Sequence, residues 1–259
     1  MSKSKQNKRD DLGDRMKRYE EVTRFILPLN SYYIVRVDGK AFHTHTKGME
    51  RPFDYDFVQN MNAATLQTCK RLHNVVLAYV QSDEVSFLLT DFEKHEKTPY
   101  LGGVVQKIAS ITAATMSVEY NKVAQACEVF DGRVFSLPNT VEVYNYLLWR
   151  QQDAMRNSIS SLAQSLYSSK ELHGVSSPNM VQMCDAKGVR WNDLPGSVRF
   201  GRLVYQKETY GHVTFFHKGK QKEVTTKDPV KHHEWVIEAL NGSFGTNLNA
   251  FIRELIPEP

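Results

Sequence analysis

Residues 75–90 read VVLAYVQSDEVSFLLT. Two runs rich in β-branched and aromatic residues, 75–80 and 85–90, are separated only by Gln81-Ser82-Asp83-Glu84, which predicts a tight antiparallel hairpin. On the N-terminal side of this hairpin, residues 54–73 carry Phe57, Met61, Ala64, Thr68 and Leu72 at intervals of three and four. That spacing predicts a helix, with Asp54 or Asp56 available to cap its start. Earlier still, SYYIVRV (31–37) predicts a strand that stops at Asp38-Gly39. On the C-terminal side, Thr98-Pro99 and Gly102-Gly103 precede a helical stretch at about 104–120, and Gly132 precedes a strand at 133–137. The order from 31 to 137 is β-α-β-β-α-β, the ferredoxin-like arrangement of an α+β chain.

Beyond Pro138, Asn139 with Glu142 forms a capping-box-like pair opening a long helix over about 140–168. Ser177-Pro178 starts a short helix that Gly188 should end. Residues 198–206 and 211–217 predict two strands around a KETYG turn, with a third at 221–226 and a last helix at 229–241 containing His232-His233. The expected division is a catalytic part, 1–138, and a C-terminal helical and β-hairpin elaboration, 139–259, packed on it.

The 259 residues are 41% hydrophobic and 24% charged, which excludes a disordered chain, a collagen-like fibre and a coiled-coil rod. No run approaches the roughly 18 consecutive apolar residues of a membrane span. The start, MSKSKQNKRDDLGDR, has no apolar stretch behind its charges, so no secretory signal is expected. Seven Lys or Arg against four Asp or Glu in the first 20 residues predict a solvated, frayed terminus. Cys69, Cys127 and Cys184 are too far apart in sequence for a CxxC zinc site, and their odd, sparse count suits a reducing, cytoplasmic location. A net charge of +4 permits a nucleic-acid partner without demanding one.

The predicted topology has a geometric consequence. The strands at 31–37 and 85–90 should be antiparallel central neighbours, bringing Asp38 beside Asp83 and Glu84. Converging carboxylates need a cation or raised pKa values to coexist. Their hard oxygens favour Mg2+, and a pair of such ions about 3.5–4 Å apart is the usual device for nucleotidyl transfer. Palm domains of polymerases and nucleotide cyclases share this topology and this placement of acids. Alone, Asp38-Gly39 or Ser82-Asp83-Glu84 would read as ordinary turn chemistry; together they predict a site. Arg36, Lys40 and Arg51 are the cations nearest in sequence for phosphate.

RVDGKAFH (36–43) together with SDEVSF (82–87) resembles the signature pair of the tRNA-histidine guanylyltransferase family. FDGRVFSLP (130–138), YLLWRQQDAMRN (146–157) and GVRWNDLP (188–195) resemble further segments of that family in the expected order. The resemblance implies a palm-like domain, two Mg2+ ions, and 3′-to-5′ addition of nucleotides to the 5′ end of tRNA. It implies that Asp38 and Asp83 bridge the metals, that the Gly39 carbonyl is a further ligand, and that Glu84 assists as a catalytic group. It further implies that Asp38, Gly39, Lys40, Ala41, Phe42, His43, Ser82, Asp83 and Arg51 bind the incoming GTP, ATP or other nucleoside triphosphate. Arg36, Arg150 and Asn157 are expected as contacts to a second nucleotide or to tRNA, and a homotetramer as the assembly. The family's His-Ile-Asn-Asn-Leu-Tyr-Asn block is replaced here by Met155-Arg156-Asn157-Ser158-Ile159-Ser160-Ser161. This departure is similar to the guanylyltransferase-like branch, which favours template-dependent repair of 5′-truncated tRNA over untemplated G addition.

Other features have plainer readings. His217 and His232-His233 suggest a solvated surface rather than a metal site. Trp149 and Trp191 read as core aromatics. The KGKQK run (218–222), with Tyr210, Phe215 and Phe216 nearby, reads either as an exposed hairpin or as an RNA contact. An RNA-recognition module shares the β-α-β-β-α-β order, but its aromatic octapeptide is missing. A nucleotide cyclase would need glycines in the QSDEVS hairpin.

Overall fold

The computed structural model describes residues 11–92, 99–244 and 248–258. α1 (Asp11–Glu21) comes first and buries none of its residues. The expected frayed terminus is thus helical from residue 11 but still on the surface; residues 1–10 lie outside the described ones. β1 (Tyr32–Gly39) leads through the short α2 (Phe42–His45) to α3 (Tyr55–Arg71). Asp54 caps α3 by accepting the Phe57 N–H at 2.8 Å, as a short carboxylate does best at this position. β2 (Val75–Gln81) and β3 (Glu84–Thr90) form the predicted hairpin. Gln81 pairs with Glu84, so the turn is only Ser82-Asp83, with Ser82 at φ 45°. α4 (Val105–Ala124) and β4 (Phe130–Leu137) follow. α5 (Thr140–Leu166) starts at Asn139, whose side-chain oxygen accepts the Glu142 N–H at 2.9 Å.

The remaining elements are α6 (Ser177–Ala186), α7 (Gly196–Arg199), β5 (Arg202–Gly211), β6 (Thr214–His217), β7 (Lys222–Thr225), β8 (Val230–Ala239) and α8 (Leu248–Leu255). An antiparallel sheet runs in the order β4-β1-β3-β2-β5-β8, and β6-β7 form a separate pair. The large sheet therefore continues across residue 138. Helices cover both of its faces. Alternation along the strands sends Val35, Val37, Val85 and Phe87 into a core with α3 and α4, and Tyr32, Ile34 and Leu88 into a second core with α5, α6 and α8. Every residue of β3 is buried.

Two C-terminal expectations are corrected. Residues 229–241 are not a helix: Val230–Ala239 is a strand paired with β5 along its length. Its true period is two, since Trp235 and Ile237 pack on the first core while Val236 packs on the second. KETYG is not a turn either. It lies inside β5, tied to β8 by the Lys207–Glu238 and Lys231–Glu208 ion pairs. Among the described residues, no helix is long and apolar enough to cross a membrane.

Candidate active site

Asp38 ends β1 in register with Glu84 of β3 on one side and Asp131 of β4 on the other. Directly opposed residues point to the same face, so three acids form a row across three strands. Two residues back, Ser86, Arg36 and Arg133 form a second row on that face. Asp83, in the hairpin turn, is tied to the end of β1: its carbonyl accepts the Gly39 N–H at 3.2 Å.

The acids differ in their surroundings. Burial raises the Asp38 pKa, with Arg36 opposing and Asp131 adding to the rise. Burial also raises that of Asp83, and the Asp38 charge adds to it. Among the described residues, neither carboxylate forms an ion pair with a Lys, Arg or His side chain, so Asp38 is offset only at longer range, by Arg36, Arg133 and Arg150. Glu84 reaches the same edge, but both its oxygens are taken by Arg150, at 2.7 and 2.8 Å. Burial raises the Glu84 pKa against the pull of Arg150. Desolvation depresses the Arg150 guanidinium, yet Glu84 and Asp153 outweigh it and the net shift is upward. The bidentate geometry is that of an ionised pair. The expected convergence of three carboxylates therefore holds for the backbone, whereas the Glu84 side chain orients Arg150.

Among the described residues, no group of three or more His, Cys, Asp or Glu side chains is arranged to hold a metal. Two carboxylates and a main-chain carbonyl still fit Mg2+, which keeps several waters and takes substrate phosphates as its other ligands. Asp38 and Asp83, together with the Gly39 carbonyl that the resemblance implies, would supply such an all-oxygen set.

The loop after β1 is shaped by Gly39. A Cβ there would lie 2.2 Å from the Phe42 ring, so only glycine lets the ring fold back over it. Phe42 is buried among Tyr120, Phe130 and Phe57. Its side chain is thus part of the core and lines neither of the grooves that flank the acids. Ala41, at φ 56°, turns the chain into α2, while Lys40 and His43 are exposed. Sequence reasoning missed the residue that fastens α2. His45 bonds the Tyr120 hydroxyl at 2.7 Å through Nε2 and the Glu128 carboxylate at 3.1 Å through Nδ1. A histidine two positions after His43 was the available signal.

Two grooves flank the acids. One, of about 400 Å3, is lined by His43, Arg51, Asp54, Ser82, Asn157 and the middle of α5. The other, of about 520 Å3, is lined by Arg36, Asp38, Asp83, Glu84, Trp149, Arg150, Asp153 and Asn157. Gln81, Ser82 and Asn157 belong to both. Of the expected site residues, Arg150 is buried and bonded to Glu84 and Asp153 through Nε and Nη2, and Arg36 Nε, 3.8 Å from Glu84, has no hydrogen-bond partner. Trp191 is core, 9% exposed, but Trp149 is 49% exposed, correcting the reading of both as core. His232 and His233 lie on a strand, His232 bonding Thr209 at 3.1 Å; the His217 side chain lies outside the described set. With β3 wholly buried, its sheet face cannot stack bases as an RNA-recognition module does.

A family model described as tRNAHis guanylyltransferase (Thg1) matches residues 13–138. A probable tRNA(His) guanylyltransferase of Drosophila melanogaster is 30% identical over 211 residues, 73% of either chain. The chain belongs to the tRNA(His) guanylyltransferase family. An uncharacterised mimivirus protein, R259, is 26% identical over 75% of this chain and 77% of its own. Among solved structures, a bacterial tRNA(His) guanylyltransferase-like protein in complex with ATP is similar at TM-score 0.80 and 31% identity, covering 94% of this chain and 98% of that one. The Saccharomyces cerevisiae enzyme is similar at TM-score 0.60 and 25% identity, over 70% and 87%. Guanylyltransferases of this family are nucleotidyltransferases, and this member is an enzyme of that class. Such enzymes generally use Mg2+. In this family member, the segment that departs from the family's helical block lies on α5. Met155 and Ile159 pack on the second core, while Asn157 stays exposed between the grooves.

Proposed function

We propose that the protein adds nucleotides in the 3′-to-5′ direction to the 5′ end of tRNA, reading a template to repair 5′-truncated molecules. The observation that carries this reading is the juxtaposition of Asp38 and Asp83, both with raised pKa values, in a groove that shares Ser82 and Asn157 with the one lined by His43 and Arg51. Residues 1–138 are assigned to a ferredoxin-like, palm-type catalytic part, and 139–259 to the elaboration whose long helix walls the grooves. Two Mg2+ ions held by Asp38, Asp83 and the Gly39 carbonyl would neutralise charge on the attacking and leaving oxygens.

The chain's own groups take the other tasks. The loop 39–43, anchored by the Lys40 N–H on the Val129 carbonyl at 2.9 Å, binds the triphosphate of the incoming nucleotide together with Ser82 and Arg51. GTP and ATP are supported as donors by the two bacterial relatives in complex with them. The 3′ hydroxyl of that nucleotide attacks the activated 5′ α-phosphate of the RNA, and pyrophosphate or a nucleotide leaves. Arg36 supplies positive charge where phosphoryl oxygens gain negative charge. The exposed Tyr210 and Phe216, near Lys218 and Lys222, supply an RNA contact outside the catalytic part. The family resemblance supports a homotetramer, and the three free cysteines suit the cytoplasm.

The replaced Met155–Ser161 block supports templated rather than untemplated addition. The test offers purified protein a tRNA lacking its first nucleotide, with each nucleoside triphosphate in turn and with each base opposite. Only the complementary nucleotide should be added. Equal G addition opposite every base removes the templated reading, and no product with any nucleotide removes the polymerase reading.

A further inference from the structure

We propose that Trp149 is a stacking platform for the 5′-terminal base of the acceptor RNA. The inference rests on the polymerase reading and adds a binding residue to it. Trp149 lies on α5, in the groove that also contains Asp38 and Asp83, and half of its surface is open although an indole this large is normally covered. It is also held in place. The Arg150 guanidinium lies 4.4 Å from its ring centroid, and the Tyr146 ring meets it at 62° and 5.9 Å. Arg150 is itself fixed by two bonds to Glu84 and one to Asp153. The indole is therefore pre-oriented, and a ligand that stacks on it need not order it first.

The surroundings say what that ligand is. On the sheet face beneath α5, Arg36 and Arg133 stand side by side, and Arg36 Nε lacks a hydrogen-bond partner. Arg133 is paired with Asp131 and lies outside the groove, so within the described residues Arg36 is the groove's unbonded cation, standing among Asp38, Asp83 and Asp153. An open, rigid aromatic ring beside it suits a phosphate-linked planar base brought in with divalent ions, which is the chemistry of a single-stranded nucleic-acid end. The incoming nucleotide is assigned to the other groove, beside His43 and Arg51, so the Trp149 groove is left for the second reactant. Stacking reads only the π-face of a base, so Trp149 holds any 5′-terminal base and leaves selection to the template. Asp153 and Asn157 follow at one-turn intervals on the same helix face and line the same groove.

The test is a cycle between side chain and base. Hairpin RNAs with a recessed 5′ end carry either a normal 5′-terminal nucleotide or an abasic ribose there, and binding is measured by fluorescence anisotropy without nucleoside triphosphate. For the wild type, the abasic RNA should bind about tenfold more weakly. Trp149→Ala should lose about tenfold on the normal RNA and nothing on the abasic one, while Trp149→Phe stays within about threefold of wild type. Equal losses on both RNAs, or no loss on either, overturn the proposal. So does a Trp149→Ala protein that sediments as a smaller assembly, which would make the indole a contact between copies. A wild-type protein that shows this binding pattern but adds no nucleotide would sink the polymerase reading and leave the stacking assignment standing.

Discussion

Asp38 and Glu84 face each other across β1 and β3 in direct register, yet of the two only Glu84 is bonded to an arginine, Arg150 from α5. The contrast separates an acid fixed in an ion pair from one left free of such a pair. Asp38 and its neighbour Asp83 line one groove, and among the described residues neither forms an ion pair, the arrangement that the proposed cation site needs.

Asp38→Asn and Asp83→Asn should each abolish nucleotide addition, by about 10³-fold or more given the weight of electrostatic stabilisation in such transfers. Far-UV circular dichroism should be unchanged. Mg2+ should raise the melting temperature of the wild type and of neither variant.

The pH dependence of metal-free stability follows from the raised pKa values of Asp38 and Asp83. A carboxyl with a higher pKa in the folded than in the unfolded state binds its proton more tightly when folded. Its contribution is most favourable below the unfolded value of about 3.9 and is lost as pH rises through the folded value. Asp83→Asn should therefore be more stable than wild type at neutral pH without divalent ions. Urea titrations should show the difference fading towards pH 3.

Asp54 behaves in the opposite way. Its pKa is lowered, chiefly by the Phe57 N–H it accepts and further by those of Glu50 and Asp56. Its stabilisation is present above the unfolded carboxyl value and disappears as pH falls through the depressed folded one. Asp54→Ala should cost about 0.5–2 kcal/mol at pH 7, as other lost N-caps do, and much less in acid. Chemical denaturation at the two pH values measures both.

Arg150→Met should destabilise the fold by about 3–5 kcal/mol, because it strands Glu84 in a buried site. The double variant Glu84→Leu, Arg150→Met should recover most of that loss while activity stays low, since Trp149 loses the guanidinium that orients it. Denaturation midpoints and steady-state addition rates separate the two effects.

His45→Ala should raise KM for the incoming nucleotide more than it lowers kcat, because it frees α2 from Tyr120 and Glu128 without touching Asp38 or Asp83. His45→Gln, which can still bond both groups, should restore part of the affinity. Equal changes in KM and kcat for both variants would show that the turn is not fastened this way.

What the sequence determined by itself was local or strictly periodic. The 75–90 hairpin, the Asp54 and Asn139 caps and the strand ending at Asp38-Gly39 follow from alternation, turn residues and capping chemistry, all set within a few positions. The meeting of Asp38 with Asp83 followed as well, because the β-α-β-β-α-β order makes β1 and β3 antiparallel neighbours and sets the end of one beside the start of the other. The rest was decided by tertiary contacts. A carboxylate at position 84 does not announce an arginine 66 residues later, so the Glu84–Arg150 pair was not legible in the sequence. A tryptophan on an amphipathic helix reads as core until packing leaves it at the rim of a groove. Residues 230–239 fit a helix as readily as a strand until β5 offers an edge, and the pairing then fixes the period at two.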